Sequence, residues 1–230
     1  MQNYHYSYLV GVLIFGAAWL ACYVLGKSYR AEIRWGTLIS APMALTSILF
    51  VPQYWTPPSL FDLDQKIRVG IEDVLWAAAV GGIASVVAEI LLKERLSALR
   101  KGVRKRHFAP FVVVVVLFIA LEFWHKDKTI YNTIIAFAIG AVVIAVLRSD
   151  LIPTMLIGLL SFTALYFVLF LVVLLLYPNF VKCFYNIPHL LGIYVLSVPI
   201  EELLFAGTGG AIWSVAYEYV QGYRLEPANP

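Results

Sequence analysis

Seven apolar blocks alternate with short polar or proline-bearing links along the chain: Leu9 to Gly26, Trp35 to Pro52, Ile71 to Leu92, Phe108 to Trp124, Thr129 to Leu147, Leu151 to Tyr177 and Ile187 to Gln221. A helix needs roughly 20 apolar residues to cross the hydrocarbon of a bilayer. The pattern therefore predicts an all-α integral membrane protein, a bundle of seven transmembrane helices. The last block, at 35 residues, is too long for one crossing. Pro199 suits a first helical turn because it has no backbone N–H to leave unpaired. It predicts where the true span starts and leaves His189 to Val198 as a separate apolar segment.

Composition supports this reading. Of 230 residues, 61% are hydrophobic and 13% charged, and the mean hydropathy is +0.82. Thirty-one charged side chains cannot clothe so much apolar sequence in water, which excludes a soluble enzyme, a disulfide scaffold and a disordered chain. The start, MQNYHYSY, lacks a basic segment ahead of Leu9, so the first block reads as an N-out anchor and not as a cleaved signal peptide. Seven spans then place the C-terminus in the cytoplasm. Twelve Lys and Arg fall on links of the predicted inner side: Lys27, Arg30, Arg34, the run Lys93, Arg95, Arg100, Lys101, Arg104, Lys105, Arg106, then Arg148 and Arg224. Five fall on the other side (Lys66, Arg68, Lys126, Lys128, Lys182), in accord with the positive-inside rule. The run from Lys93 to Arg106 could also grip anionic lipid. A net charge of +3, spent on topology, gives no reason to expect nucleic acid as a partner; membrane lipid is expected. Cys22 and Cys183 suggest neither a disulfide framework nor a metal site. His5, His107, His125 and His189 stand at block borders without shared spacing, so no metal is expected there.

An internal repeat carries the acids. Ile71 to Ile90 laid over Ile200 to Tyr219, at a constant offset of 129, gives nine identities in twenty. This implies a duplication into two parallel three-helix repeats joined by a linker helix. The corresponding units are residues 1–107, 108–128 and 129–230. Asp73, Ala77, Gly81, Ser85 and Glu89 step by four in one copy; Glu202, Ala206, Gly210, Ser214 and Glu218 do so in the other. Small residues at this spacing let membrane helices approach closely, and the third and seventh helices are expected to pack through them about a pseudo-two-fold axis. Glu72 and Glu201 are rotated about 100° from their neighbours, each one turn above an aromatic residue, Trp76 or Phe205. Glu122, near the outer end of the fourth block, falls at a similar depth. Acids within a membrane are costly and usually face a bundle interior or a water-filled cavity. Glu72 and Asp73 have an alternative reading as helix-capping groups at the interface. Glu89 and Glu218, near the basic ends, read as interfacial.

The motifs IEDVLW at Ile71 to Trp76 and PIEELLF at Pro199 to Phe205, on helices of a duplicated bundle, resemble the integral-membrane lycopene cyclase domain family, whose paired or fused three-helix units close the ends of a linear carotene into rings. The resemblance implies Glu201, Glu202, Glu72 and Asp73 as catalytic candidates and Phe205 and Trp76 as substrate-binding aromatics. Glu122, at their depth, joins the substrate-binding candidates. Copy one departs from the pattern in having Gly70 where copy two has Pro199, and the shorter Asp73. The implied chemistry is an isomerisation: a carboxylic acid protonates a terminal alkene, the cation closes a ring, and a base removes a different proton. No electrons are exchanged, so no cofactor is expected, and the dinucleotide fingerprint G-x-G-x-x-G is absent. The expected ligand is a hydrophobic polyene or isoprenoid, and a homo-oligomer is left open.

Other classes compete. The seventh block has no lysine for a retinal Schiff base, and Ala206 stands where a paired-glutamate intramembrane protease would carry arginine. A non-catalytic isoprenoid- or lipid-binding protein, or a proton-coupled transporter, fits paired acids and parallel repeats almost as well. Among the acids, Glu201 leads the expectation. Its rotation off the small-residue stripe should free it to point into a cavity above Phe205, while Glu202 bonds across a helix contact.

Overall fold

The computed structural model describes residues 4–92, 94–98 and 108–227, the side chains of 94–98 and 224–227 excepted. The basic run from Lys93 to Arg106, and the side chain of Arg224, therefore lie outside the described groups. In chain order the elements are α1 (Ser7–Leu25), α2 (Arg30–Ser40), α3 (Ser47–Phe50), α4 (Leu63–Ile67), α5 (Ile71–Ala84), α6 (Val87–Leu92), β1 (Glu94–Ala98), α7 (Ala109–Trp124), α8 (Thr129–Leu147), α9 (Ile152–Leu176), α10 (Phe180–Phe184), β2 (Tyr194–Val195), β3 (Val198–Pro199), α11 (Ile200–Trp213), α12 (Ala216–Gln221) and β4 (Tyr223–Pro227). The chain is a helical, multi-pass membrane protein. Among the described residues, five helical stretches are long and apolar enough to cross a bilayer: Ser7–Leu25, Lys27–Phe50, Ile71–Leu92, Thr129–Leu147 and Ser149–Leu176. The fourth apolar block forms the shorter α7, of 16 residues.

Several boundaries differ from the sequence expectation, each for a local reason. The second span begins earlier than Trp35, so Arg30 and Arg34 lie on α2 instead of in a link. Cys183 sits on α10 and not in a loop. The third and seventh blocks are each broken, at Ser85–Val86 and at Ser214–Val215. At both breaks the regular i−4 hydrogen bonding gives way: Val86 N–H reaches Ile83 O and Val215 N–H reaches Ile212 O. Each serine hydroxyl also bonds back into its own helix, to Gly82 O or Ala211 O, which bends helices. The helix of the seventh block does begin beside Pro199, at Ile200, while Tyr194–Val195 and Val198–Pro199 form a small antiparallel ribbon ahead of it. Just past α6 and α12 the chain forms a second ribbon, β1 against β4, with Leu96 opposite Leu225.

The small-residue stripes do mark close packing, but with different partners from those expected. A Cβ on Gly81 would collide with Ser40 of α2, and one on Gly36 would lie 2.7 Å from Gly81 O. In the other half, a Cβ on Gly210 would lie 2.6 Å from Gly158 O of α9. Thus α5 packs on α2 and α11 on α9. The larger residues of α5 and α11 meet instead. Trp76 stacks on Phe205 with ring centroids 5.9 Å apart, and carboxyl oxygens of Glu89 and Glu218 come within 4.8 Å. Contacts at both ends in the same order make α5 and α6 run parallel to α11 and α12.

Candidate functional site

The N-terminal ends of α5 and α11 open on one cavity of about 480 Å³. Its wall is mostly aromatic and aliphatic, with Phe15 from α1, Trp76 from α5, Phe162, Tyr166 and Phe170 from α9, and Phe205 and Trp213 from α11. Two carboxyl groups reach it, Asp73 and Glu202. Both are buried, 3% and 5% exposed.

Glu202 is held by three phenols. Its Oε1 accepts hydrogen bonds from Tyr54 (2.8 Å) and Tyr185 (2.8 Å), and its Oε2 accepts one from Tyr166 (2.6 Å). Tyr166 comes from α9, whereas Tyr54 and Tyr185 come from two loops that fasten to each other. Thr56 N–H donates to Phe184 O at 2.7 Å, and Asn186 N–H to Tyr54 O at 2.8 Å. Tyr54, Trp55 and Tyr185 of these loops also line the cavity. Burial, then the charge of Glu202, pushes the Tyr54 and Tyr185 phenols well above their usual range, so they serve as donors.

Asp73 is held differently. Its Oδ1 accepts from Tyr8 of α1 at 2.7 Å, and its Oδ2 from the Gly70 N–H at 2.8 Å, which also caps α5. Two further carboxyl groups converge on Gly70. A Cβ there would lie 3.0 Å from Glu72 Oε2 and 3.1 Å from Asp64 Oδ1. Asp64, on α4 in the link between spans, is buried and pushed up to about 8, first by its burial and then by the charge of Asp73.

Glu72 and Glu201 do not line this cavity, contrary to the expectation for Glu201. Each turns back to the chain before its helix. Glu72 Oε1 accepts the Leu60 N–H at 2.7 Å; Glu201 Oε1 accepts the Leu191 N–H at 2.6 Å and the Tyr131 hydroxyl at 2.7 Å. The physical reason is that residues three apart share a helix face as well as residues four apart. Asp73 with Trp76, and Glu202 with Phe205, therefore share the cavity face, while the first acid of each pair clasps the entering loop. Trp76 and Phe205 do line the cavity. Glu122 does not: its carboxyl group accepts from Thr129 (3.1 Å) and Asn132 (2.7 Å), tying α7 to α8.

The opposite end of the bundle holds a second correction. Glu89 and Glu218, read as interfacial, are 1% and 0% exposed and meet Glu32 of α2, 1% exposed. Sequence reasoning missed Glu32, Asp64 and the four tyrosines. The tyrosines had one signal, an abundance of fourteen in an apolar chain, but tyrosine is enriched at membrane interfaces in any case.

These features define a class: a helical membrane protein that encloses an apolar, aromatic cavity with two buried acids on its wall. More narrowly, residues 128–220, running from the start of α8 to α12, match the family model for lycopene cyclase. Comparison with curated proteins and with solved structures found no match.

Proposed function

We propose that the protein is a lycopene-cyclase-like isomerase, which protonates and cyclises the end of a carotenoid or other isoprenoid polyene with no redox change. The observation that carries this reading is the convergence of Asp73 and Glu202, from corresponding helix positions, on one aromatic cavity. The family match, which covers Glu202 and Phe205, supports it. The reading includes the duplicated seven-span architecture, with the N-terminus outside and the C-terminus cytoplasmic. The like placement of Asp73 and Glu202, and of the two helix breaks, supports the duplication.

In this mechanism Asp73 is the acid. It gives its proton to the terminal alkene carbon of a polyene end lying along Trp76, and Asp64 behind it supplies a proton in turn. The resulting tertiary cation is attacked by the next alkene, forming the carbon–carbon bond that closes the ring. The faces of Trp76 and Phe205 stabilise the passing charge through their quadrupoles. Glu202, already an acceptor of three hydrogen bonds, removes a proton from the carbon next to the new cation, and the double bond forms there. That proton returns to the acid side between turnovers, so product and substrate have the same composition. Glu72 and Glu201 are positioning residues that fix the loops entering their helices.

The test is expression of the full chain and of Asp73→Asn and Glu202→Gln in cells that accumulate lycopene, followed by pigment analysis. Ring-bearing carotene from the parent, and a loss of about 10²-fold or more in each variant, is expected for lost acid–base catalysis. A parent that converts no carotene yet co-purifies with a polyene would put a binding protein in place of the enzyme.

A further inference from the structure

Away from that cavity, three acidic side chains from three helices meet at the opposite end of the bundle. Glu32 comes from α2, Glu89 from α6 and Glu218 from α12, and one oxygen from each lies within 4.8 Å of the others. None is solvated. Glu32 Oε2 and both oxygens of Glu89 receive no hydrogen bond from any group outside the cluster, and among the described residues neither side chain forms an ion pair. A buried carboxylate without donors or a countercharge is strongly disfavoured. Both carboxyl groups are aimed at the same small volume, so a single positive ion there would satisfy them together.

We propose that Glu32, Glu89 and Glu218 form a binding site for a hard divalent cation, of the calcium or manganese type. An all-oxygen, carboxylate-rich ligand set selects such ions over zinc or copper. Oxygens bound to one calcium ion at about 2.3–2.6 Å lie at most about 5 Å apart, which the observed spacing meets. The ion would join the two halves of the chain, since Glu32 and Glu89 belong to the first and Glu218 to the second. This site is separate from the proposed cyclase centre and does not depend on it.

The experiment uses the purified full chain in detergent, freed of metal with a chelator and titrated with Mn²⁺ while free manganese is followed by electron paramagnetic resonance. Saturable uptake by the parent is expected. Uptake should weaken about tenfold or more in Glu89→Gln and in Glu32→Gln, because each loses one of three charged ligands. Asp127→Asn, an exposed loop carboxylate, should bind as the parent does. Saturating Ca²⁺ should raise the melting temperature of the parent by mass action and not that of Glu89→Gln. If manganese stays free in the presence of the parent, or if all three variants bind as the parent does, the proposal is wrong. If Asp127→Asn weakens binding as much as Glu89→Gln, uptake is diffuse surface charge and the proposal is equally wrong. The parental titration decides the matter even if a variant does not fold.

Discussion

At the mouth of α11, Glu202 receives three phenolic hydroxyl groups, whereas at the mouth of α5 Asp73 receives one phenol and a backbone N–H and has two other carboxyl groups behind it. The two motifs are near copies, and a pair of substitutions accounts for much of the difference. Gly70 offers an N–H that Pro199 cannot, and the shorter Asp73 folds back onto it. Glu202, one methylene longer, extends to the tyrosines. One copy of the motif thus crowds acids together, and the other surrounds an acid with donors. Two such environments suit opposite proton-transfer roles.

The largest effect should come from removing both acids. Combining Asp73→Asn with Glu202→Gln should leave no cyclised product detectable by pigment chromatography, and Glu201→Gln should keep most activity. If Glu201→Gln were the more damaging change, the cavity-facing assignment would be reversed. Next, Gly81→Leu and Gly210→Leu should each cost about 1–3 kcal/mol or more, read as a lower melting temperature in detergent, since the opposing backbone cannot retreat. Similar losses would mean the halves pack alike even though their acids differ. Smaller again, Tyr8→Phe should lower turnover by up to about tenfold, the worth of one hydrogen bond to the acid. Tyr166→Phe should lower it less, because Glu202 retains Tyr54 and Tyr185. Equal losses would erase the contrast between one donor and three.

The smallest effect concerns pH. Asp64 titrates near 8 in the folded protein against an ordinary 3.8, chiefly through burial. Its folded value is the raised one, so its stabilising contribution is complete below 3.8 and is lost as pH rises through about 8. Melting temperature should fall between about pH 4 and 8 and level off above that, and Asp64→Asn should flatten the slope.

Much of this was legible in the sequence: the apolar blocks gave a helical membrane protein, Pro199 marked the start of α11, and the acid-acid-x-x-aromatic motif located both carboxylates and both rings of the cavity. Stepping by four alone misassigned the faces, because Trp76 lies three residues from Asp73 as well as four from Glu72. Partners distant in the chain were not legible at all. Tyr54 and Glu202 are 148 residues apart, and nothing in the local pattern around Tyr54 separates a phenol aimed at a buried acid from one sitting in an interfacial belt. Glu32 was hidden in the same way. It falls among Arg30 and Arg34, which invite a solvated loop, yet it occupies the inward face of a helix that begins one turn earlier than the apolar block.

Trp55, Trp76 and Trp213 all stand on the cavity wall, and that gives the site an optical use. Indole emission overlaps the near-ultraviolet and violet absorption of conjugated polyenes, so a chain threaded between these rings would quench them by energy transfer at close range. Titrating parental protein with a polyene while watching tryptophan fluorescence would therefore report occupancy without turnover. Replacing Trp76 by Phe would show how much of the signal arises beside the acids.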